Sequence, residues 1–468
     1  MKKFLTLAVV ALLSFASYAQ GDDATPYSVD FSQKVGQIKP LNGVNLWTNF
    51  YFTTQVDRQD LAEACKISTV RLHDVPLDNQ GIRLVDVHQI FGNLKADPKD
   101  PDNYFFAPTD DYIAKILKGG AVPIYRLGTS IEHSANKYFA KRPKNPEQYA
   151  EICAGIVRHY NEGWNDGFHW NLPYWEIWNE PDGVPSMWDD PDWDSYCSFY
   201  VIVAKRLRAE FPNIKIGGPA LCWANYEKIG RLLEFCDEAD APLDFFSWHC
   251  YTDDYHALID TPYAVRKFLD ERGYEKTELH LNEWHYLPQG WGNLYGNDRD
   301  YEAQRRVTTA PDSMNGYISA AFNDFVMTRW QDGPLDMGNY YAYELEKCNT
   351  WGCFDVTGEP RPVYYSLRVF GELVAETPER VKTTDAGETI SLLGGVDASG
   401  ETKRLLVSIF NDGKGAEIKI ALKGVPESGT VKIAKIDGET SYAEIEQAYS
   451  NGELTFKTEG SAVYLVRF

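Results

Sequence analysis

The sequence predicts a (β/α)8 barrel followed by a small β-sandwich. Three observations carry this expectation. Between residues 43 and 376, β-branched and aromatic strand-like runs alternate eight times with helix-like runs. From about residue 377 the pattern changes to short alternating strands separated by Gly and Asn/Asp turns. The length of 468 residues suits one large domain with a smaller one beside it.

Residues 1–19 read as a signal peptide. Lys2 and Lys3 form a positive start, residues 4–15 an apolar stretch, and Ser17-Tyr18-Ala19 a small-x-small cleavage site before Gln20. Export to a periplasm or beyond is the expectation. The apolar stretch is too short to span a bilayer and no later segment qualifies, so no stable membrane insertion is expected. Residues 20–42 form an N-terminal segment in which 27–32 can add a strand to the sandwich.

The barrel is expected over residues 43–376. Its strands read as 43–47, 67–73, 121–126, 174–180, 214–219, 244–251, 278–284 and 337–343. Helices lie between them: Tyr149, Cys153, Ile156, Val157 and Tyr160 make one apolar stripe, and Tyr200, Ala204, Leu207 and Phe211 another. The loop at 75–108 is too long for a simple βα connection and leaves the C-terminal face, where it would wall a site. Its run Asp97-Pro98-Lys99-Asp100-Pro101-Asp102 lacks the spacing of an EF-hand, and its prolines suit a rigid turn. The sandwich is expected over 377–468, with strands at 389–393, 404–410, 417–422, 430–436, 454–457 and 462–468. Asn411-Asp412-Gly413 and Asn451-Gly452 supply turns. A stabilising appendage is the reading preferred over a second sugar-binding module.

Composition excludes several partners. Lys+Arg 46 against Asp+Glu 68 gives a net charge of −22 with no basic block, which disfavours nucleic acid and anionic membrane surfaces. Aromatic residues at 14% offer flat faces for sugar rings, although a large barrel buries many aromatics in any case. No His- or Cys-rich spacing supports a metal site, and no cofactor is expected. The eight cysteines read mostly as buried thiols, with Cys348 and Cys353 as the pair to test for a bridge.

Two glutamates carry the chemical argument. Glu180 ends Tyr174-Trp175-Glu176-Ile177-Trp178-Asn179-Glu180-Pro181, and Glu283 lies in His280-Leu281-Asn282-Glu283-Trp284-His285. Both positions are C-terminal tips of predicted strands, the fourth and seventh, where barrel enzymes hold their reacting groups. Glycosidic bonds are usually cut by two carboxylates facing each other across the bond. Either glutamate alone reads equally well as a rim charge. Glu176 should point into the barrel as part of a structural ion pair.

The run Trp-Glu-Ile-Trp-Asn-Glu-Pro at 175–181 resembles the acid/base motif of clan A glycoside hydrolases, and more narrowly family thirty-nine, the β-xylosidase and α-L-iduronidase family. Val70-Arg71-Leu72-His73-Asp74, Phe246-Ser247-Trp248-His249-Cys250-Tyr251 and Asn282-Glu283-Trp284 follow the same order. The resemblance extends to Pro362-Val363-Tyr364-Tyr365. It implies a retaining enzyme with Glu180 as acid/base, Glu283 as nucleophile and Asn179 bonding the sugar's 2-hydroxyl. Arg71 and Tyr251 resemble the groups that keep such a nucleophile ionised.

His249 and Trp284 are candidate sugar contacts; a strand histidine is as often a satisfied core residue. His73, Asp74, Arg126, Glu132 and His133 follow the second and third strands and form a polar wall, though each also reads as a rim salt bridge or cap. Asp182 stands where the family usually has asparagine, and His285 follows Trp284 where a smaller polar residue is usual. The expected function is an exported retaining glycoside hydrolase clipping terminal sugars of plant or microbial glycans, β-xylosidase-like. The alternatives are a uronidase, which the Arg126 and His133 wall would favour, or a non-catalytic glycan-binding barrel.

Overall fold

The computed structural model describes residues 27–48, 57–75, 83–132, 136–288, 290–291, 313–346, 350–355, 357–385, 387–410 and 415–468. The predicted signal peptide, His133, Cys348 and the Asn411-Asp412-Gly413 turn lie outside them. The chain starts with β1 (Tyr27–Gln37) and then enters a closed barrel. Its strands are β2 (Gly43–Asn45), β3 (Thr69–Leu72), β4 (Val122–Leu127), β5 (Tyr174–Ile177), β6 (Lys215–Leu221), β7 (Phe245–Thr252), β8 (Glu278–Tyr286) and β9 (Met337–Tyr340). Every neighbouring pair is parallel, and β9 returns to β2 to close the ring.

The helices after β4 to β7 begin with the same device. Asn145, Asp192, Asn225 and Asp254 each turn a side-chain oxygen onto the backbone N–H of Gln148, Asp194, Lys228 and His256. Each such cap is worth about 1 kcal/mol and fixes where the loop stops and the helix starts. That sets the length of the loops rimming the C-terminal face.

The two faces of the barrel differ in chemistry. Outside, Trp175 lies against Tyr125 with ring centroids 5.0 Å apart, and Trp178 meets Trp188 edge-on at 5.2 Å. Inside, Arg71 and Glu176 form an ion pair with both side chains fully buried. Burying two charges is tolerable only when their remaining hydrogen-bonding positions are filled. Ser247 donates to Glu176 Oε1 at 2.7 Å and Asn282 donates to the same oxygen, while Asn45 Oδ1 accepts from Arg71 at 3.1 Å. This polar floor lies beneath the candidate site.

After two short paired strands, β10 (Leu345–Glu346) and β11 (Phe354–Asp355), and the helix Pro362–Glu376, the chain forms β12 (Glu379–Thr384), β13 (Ile390–Val396), β14 (Lys403–Ile409), β15 (Ala416–Lys423), β16 (Gly429–Ile436), β17 (Ala443–Tyr449), β18 (Glu453–Thr458) and β19 (Ala462–Arg467). With β1 they make one nine-stranded sheet in the order β17-β16-β19-β14-β13-β12-β1-β15-β18. The sheet folds over on itself, because Gln447 Nε2 near one end donates to the Thr455 carbonyl at the other, 2.6 Å away. β1 lies antiparallel to β12 and parallel to β15, so the chain crosses the sandwich before it enters the barrel.

Both faces of the middle strands are covered. Leu406, Val463 and Leu465 join the core shared with the barrel's helices, while Leu405, Val407, Tyr464 and Val466 fill the sandwich. Ser408 Oγ donates to the Ala321 carbonyl at 2.7 Å, and Arg467 makes a bidentate pair with Glu372 at 2.6 and 2.7 Å. Two strands of this sheet, β12 and β17, lie outside the runs that the sequence predicts. The seven described cysteines are free thiols, Cys353 being fully buried. In the long loop, Asp97 and Asp100 accept backbone N–H groups of Lys99 and Asp102, so these carboxylates cap local turns. No helix among the described residues is long and apolar enough to cross a membrane.

Candidate active site

The backbone at the tip of β5 leaves ordinary strand geometry. Trp178 and Glu180 have φ of 74° and 44°, the left-handed region that L residues avoid. Such strain of about 1–3 kcal/mol per residue persists only where the surroundings enforce it. Here Trp178 N–H donates to the Leu127 carbonyl and Glu180 N–H to the Ala220 carbonyl, tying the turn to the strands on either side.

On β8 the device is a bulge. Trp248 pairs with Leu281 but His249 pairs with Glu283, so Asn282 is the extra residue. Regular alternation would send neighbouring side chains to opposite faces; the bulge lets Asn282 and Glu283 both address the interior. Asn282 reaches down to Glu176. Glu283 is held above it.

Arg71 on β3 organises what lies between. Its Nε donates to Glu176 at 2.6 Å, Nη1 to Glu283 Oε1 at 2.7 Å, and Nη2 to Asn179 Oδ1 at 2.6 Å. Tyr251 donates its hydroxyl to Glu283 Oε2 at 2.5 Å. His249 Nδ1 stands between the two carboxyls, 2.8 Å from Glu180 Oε1 and 3.4 Å from Glu283 Oε2. One carboxyl oxygen from each glutamate and a ring nitrogen of His249 all lie within 4.8 Å of one another. His73 Nε2 is 3.8 Å from Glu283 Oε1 and 3.4 Å from Asp74 Oδ2. Asp74 in turn accepts from the Ile131 N–H and the Tyr341 hydroxyl, each at 3.2 Å, stitching together the loops after β3, β4 and β9.

The electrostatics raise both acids, with burial as the first cause in each. Burial pushes the Glu180 carboxyl up from 4.5 to about 7, against the pull of Arg71 and a hydrogen bond from Cys222. Burial also raises Glu283, opposed by His249, Arg71 and the Tyr251 hydroxyl. Burial drops His249 to about 4 and His73 well below the usual imidazole value, so both rings are neutral at pH 7. Two carboxyls this close titrate as a pair, and one proton between them is the stable state near neutrality. Such a pair can protonate a leaving oxygen from one side while attacking carbon from the other.

Glu180, His249 and Glu283 could also offer three ligand atoms to a cation. Both oxygens of Glu283 already accept hydrogen bonds, from Arg71 and Tyr251, so a metal would share these oxygens with the two donors.

Two of the candidate contacts are corrected by the structure. Trp284 is fully buried behind the strand, edge-on to Trp330 at 5.0 Å and to Tyr340 at 5.5 Å, and offers no face to a sugar. Arg126 is fully buried and donates to Asp86 at 2.5 Å, so it presents no open cation to a carboxylated substrate. Glu132 likewise turns away, accepting the backbone N–H groups of Tyr138, Phe139 and Ala140. His285 bonds the Tyr340 hydroxyl and the Tyr286 carbonyl within the core. Several further residues at the site are not among the candidates the sequence names. Asn45 and Ser247 support Arg71 and Glu176, and Trp291 and Trp351 flank Tyr251 with centroids 5.1 and 5.4 Å from its ring.

The chain is similar to several known proteins. The family described as Glycosyl hydrolases family 39 matches residues 43–271. A β-xylosidase from Geobacillus stearothermophilus is 33% identical over 112 residues, 24% of this chain and 21% of that protein. A β-xylosidase from Caldicellulosiruptor saccharolyticus is 23% identical over 371 residues, 72% of this chain and 70% of that one. A glucosidase structure from Croceicoccus marinus superposes with a TM-score of 0.75 at 21% identity, covering 95% of this chain and 99% of its own. The GH39 enzyme from Xanthomonas axonopodis pv. citri gives 0.69 at 16% identity, covering 98% and 99%. At these identities the structures speak for a shared fold. The chain is a glycoside hydrolase similar to family 39 of clan A, on a (β/α)8 barrel with a β-sandwich beside it.

Proposed function

We propose that this enzyme removes terminal sugars by double displacement, with Glu283 as nucleophile, Glu180 as acid/base and a β-xyloside as substrate. The observation that carries the reading is the spacing of the two carboxyls, with oxygens inside 4.8 Å. So close an approach of oxygens supports a retaining pair over an inverting one, whose carboxyls stand roughly 6.5–9.5 Å apart around a water. Glu283 Oε attacks the anomeric carbon as Glu180 passes its proton to the leaving oxygen, giving a glycosyl ester and an alcohol. The ester carries no charge, so Glu180 loses the negative neighbour that favoured its proton. It can then take a proton from water, whose oxygen attacks the anomeric carbon and frees Glu283. Asn179, held by Arg71, would bond the 2-hydroxyl, and His73, His249 and Tyr251 stand around the same two carboxyls.

The choice of xylose is supported by the β-xylosidases among its relatives. Terminal action is supported by Asp74, which ties three loops across one end of the site. Export is supported by the signal-like run at 1–19. The division at 20–42, 43–376 and 377–468 is the corresponding domain proposal, with the sandwich as a stabilising appendage.

The test is a nitrophenyl glycoside screen with xylosides, arabinosides, glucosides and glucuronides, followed by NMR of the first-formed anomer. Turnover of the β-xyloside with retention is expected. Glu180→Ala should still cleave the aryl xyloside and form a glycosyl azide when azide is added; Glu283→Ala should lose both activities. First-formed sugar of inverted configuration would overturn the mechanism, and a preference for another glycoside would overturn the substrate.

A further inference from the structure

A cavity of about 450 Å³ opens on the barrel rim, apart from the two catalytic carboxyls. Its walls come from the long loop after β3, the loop after β4, the start of the helix Pro146–Glu162, and Trp178. The segment after β4 divides it from the catalytic centre: Thr129 lines the cavity, while two residues on the Ile131 N–H bonds Asp74 beside His73. The loops that shape it are fastened. Gln148 Nε2 donates to the Leu94 and Ala96 carbonyls at 2.9 and 2.8 Å, and Glu132 accepts the N–H groups of Tyr138, Phe139 and Ala140. The volume lies within the roughly 300–1,000 Å³ of small-molecule sites.

The charge of this lining runs against that of the chain. Lys95, Lys141, Arg142 and Lys144 border the cavity and no aspartate or glutamate does, in a protein whose acidic residues outnumber its basic ones 68 to 46. Arg142 is paired with Asp190. The three lysines have no carboxylate partner among the described residues, and Lys141 Nζ donates to the Lys137 carbonyl at 3.3 Å. Beside them Phe139 lies flat on His88, with ring centroids 3.7 Å apart and planes 3° from parallel. Tyr138 and Phe139 are 64% and 41% exposed, an aromatic pair that the core does not use. Aromatic faces take the C–H side of a sugar ring, and ammonium groups take a carboxylate.

We propose that this cavity is a second, non-catalytic binding site for a uronic acid unit of a glycan. Lys95, Lys141 and Lys144 hold its carboxylate, and its ring lies on the wall made by Tyr138 and Phe139. The sugar is held there and not cleaved, because a lining without aspartate or glutamate has no pair of carboxyls to act across a glycosidic bond. The site keeps an acidic glycan at the rim while the catalytic centre acts. It goes beyond the choice of a β-xyloside at that centre and does not depend on it.

The experiment titrates the full chain with glucuronate, with its uncharged amide and with inorganic phosphate, read by saturation-transfer NMR. Glucuronate should bind at least about 10-fold more tightly than the amide, and salt should weaken it. The triple variant Lys95→Gln, Lys141→Gln, Lys144→Gln should bind glucuronate about 10-fold more weakly, the sum of three modest ion pairs, and Phe139→Ala about 5-fold more weakly. Both variants should keep the wild-type kcat/KM on the aryl xyloside, and glucuronate should not compete with that substrate. Wild-type affinity for glucuronate in the triple variant would overturn the proposal, and so would competition at the catalytic centre. Phosphate binding as tightly as glucuronate would reduce the cavity to a plain anion site and overturn the sugar. Should the triple variant fail to fold, an unchanged affinity in Phe139→Ala overturns it instead. If glucuronate binds as stated but no glycoside is cleaved, the functional reading fails while this site stands.

Discussion

Replacing Glu180 with glutamine should make the protein more stable above neutrality, by an amount that the structure sets. The folded state holds the Glu180 proton up to about pH 7, whereas an unfolded chain releases it near 4.5. Between those values the native state binds more protons, so stability falls as pH rises. The contribution is fully present below pH 4.5 and gone above pH 7. A rise of about 2.5 in pKa corresponds to about 3 kcal/mol at 1.36 kcal/mol per unit. The side chain is 23% exposed, so the figure applies without heavy discounting for solvent.

Glutamine keeps the shape and the oxygen facing His249 but has nothing to ionise. The difference in Tm between Glu180→Gln and wild type should therefore be small and constant below pH 4.5 and grow through pH 7. By pH 8 it should reach about 3–5 °C for a chain of this size. Differential scanning calorimetry at pH 4.5, 6, 7 and 8 reads it directly, and groups unaffected by the substitution cancel in the subtraction. A difference flat across that range would refute the claim that burial of this carboxyl dominates its titration. A difference that shrinks with pH would show that Glu180 is stabilised as an anion, which is the opposite of what an acid catalyst needs.

Three further outcomes follow from the contacts. Tyr251→Phe removes the donor to Glu283 Oε2, so the acid limb of kcat/KM should move upward and kcat should drop by about 10- to 100-fold; an unmoved limb would remove the phenol from the nucleophile's support. Arg71→Met leaves Glu176 and Glu283 buried without their cation and should cost about 3–5 kcal/mol with loss of activity, read by chemical denaturation; a stable protein would mean the carboxyls had repaired. Trp284→Ala should cost about 3–5 kcal/mol in the same assay while leaving KM for the aryl xyloside unchanged in the surviving fold; a raised KM at full stability would return Trp284 to the sugar site.

The barrel was legible because its strands are buried on both faces and its helices on one. Strands such as 174–177 and 245–252 read as compact aromatic and β-branched runs, and the stripes at Tyr149 and Tyr200 repeat with the helical period. The strands that were missed are those whose burial is weak. β17 reads Ala-Glu-Ile-Glu-Gln-Ala-Tyr with Ile445 39% exposed, a pattern that owes its strand to pairing with β16 and not to any apolar face. In such a strand the neighbour decides, and a neighbour is not written in the local sequence.

The same limit explains the two errors at the site. Trp284 stands among the candidate sugar contacts, yet alternation alone puts the residue after an inward glutamate on the outer face, where Trp330 and Tyr340 enclose it. The bulge that turns Asn282 inward as well left no mark in the sequence, because it is a property of the pairing with β7. Arg126 was read as an open cation from its place at a strand end; Asp86, which neutralises it, stands 40 residues earlier in the long loop. Arg71 makes the general point most sharply. Its partners Asn45, Glu176, Asn179 and Glu283 come from three other strands and the turn after one of them. Sequence motifs name the carboxylates that react, but the network that fixes their protons is assembled only when the barrel closes.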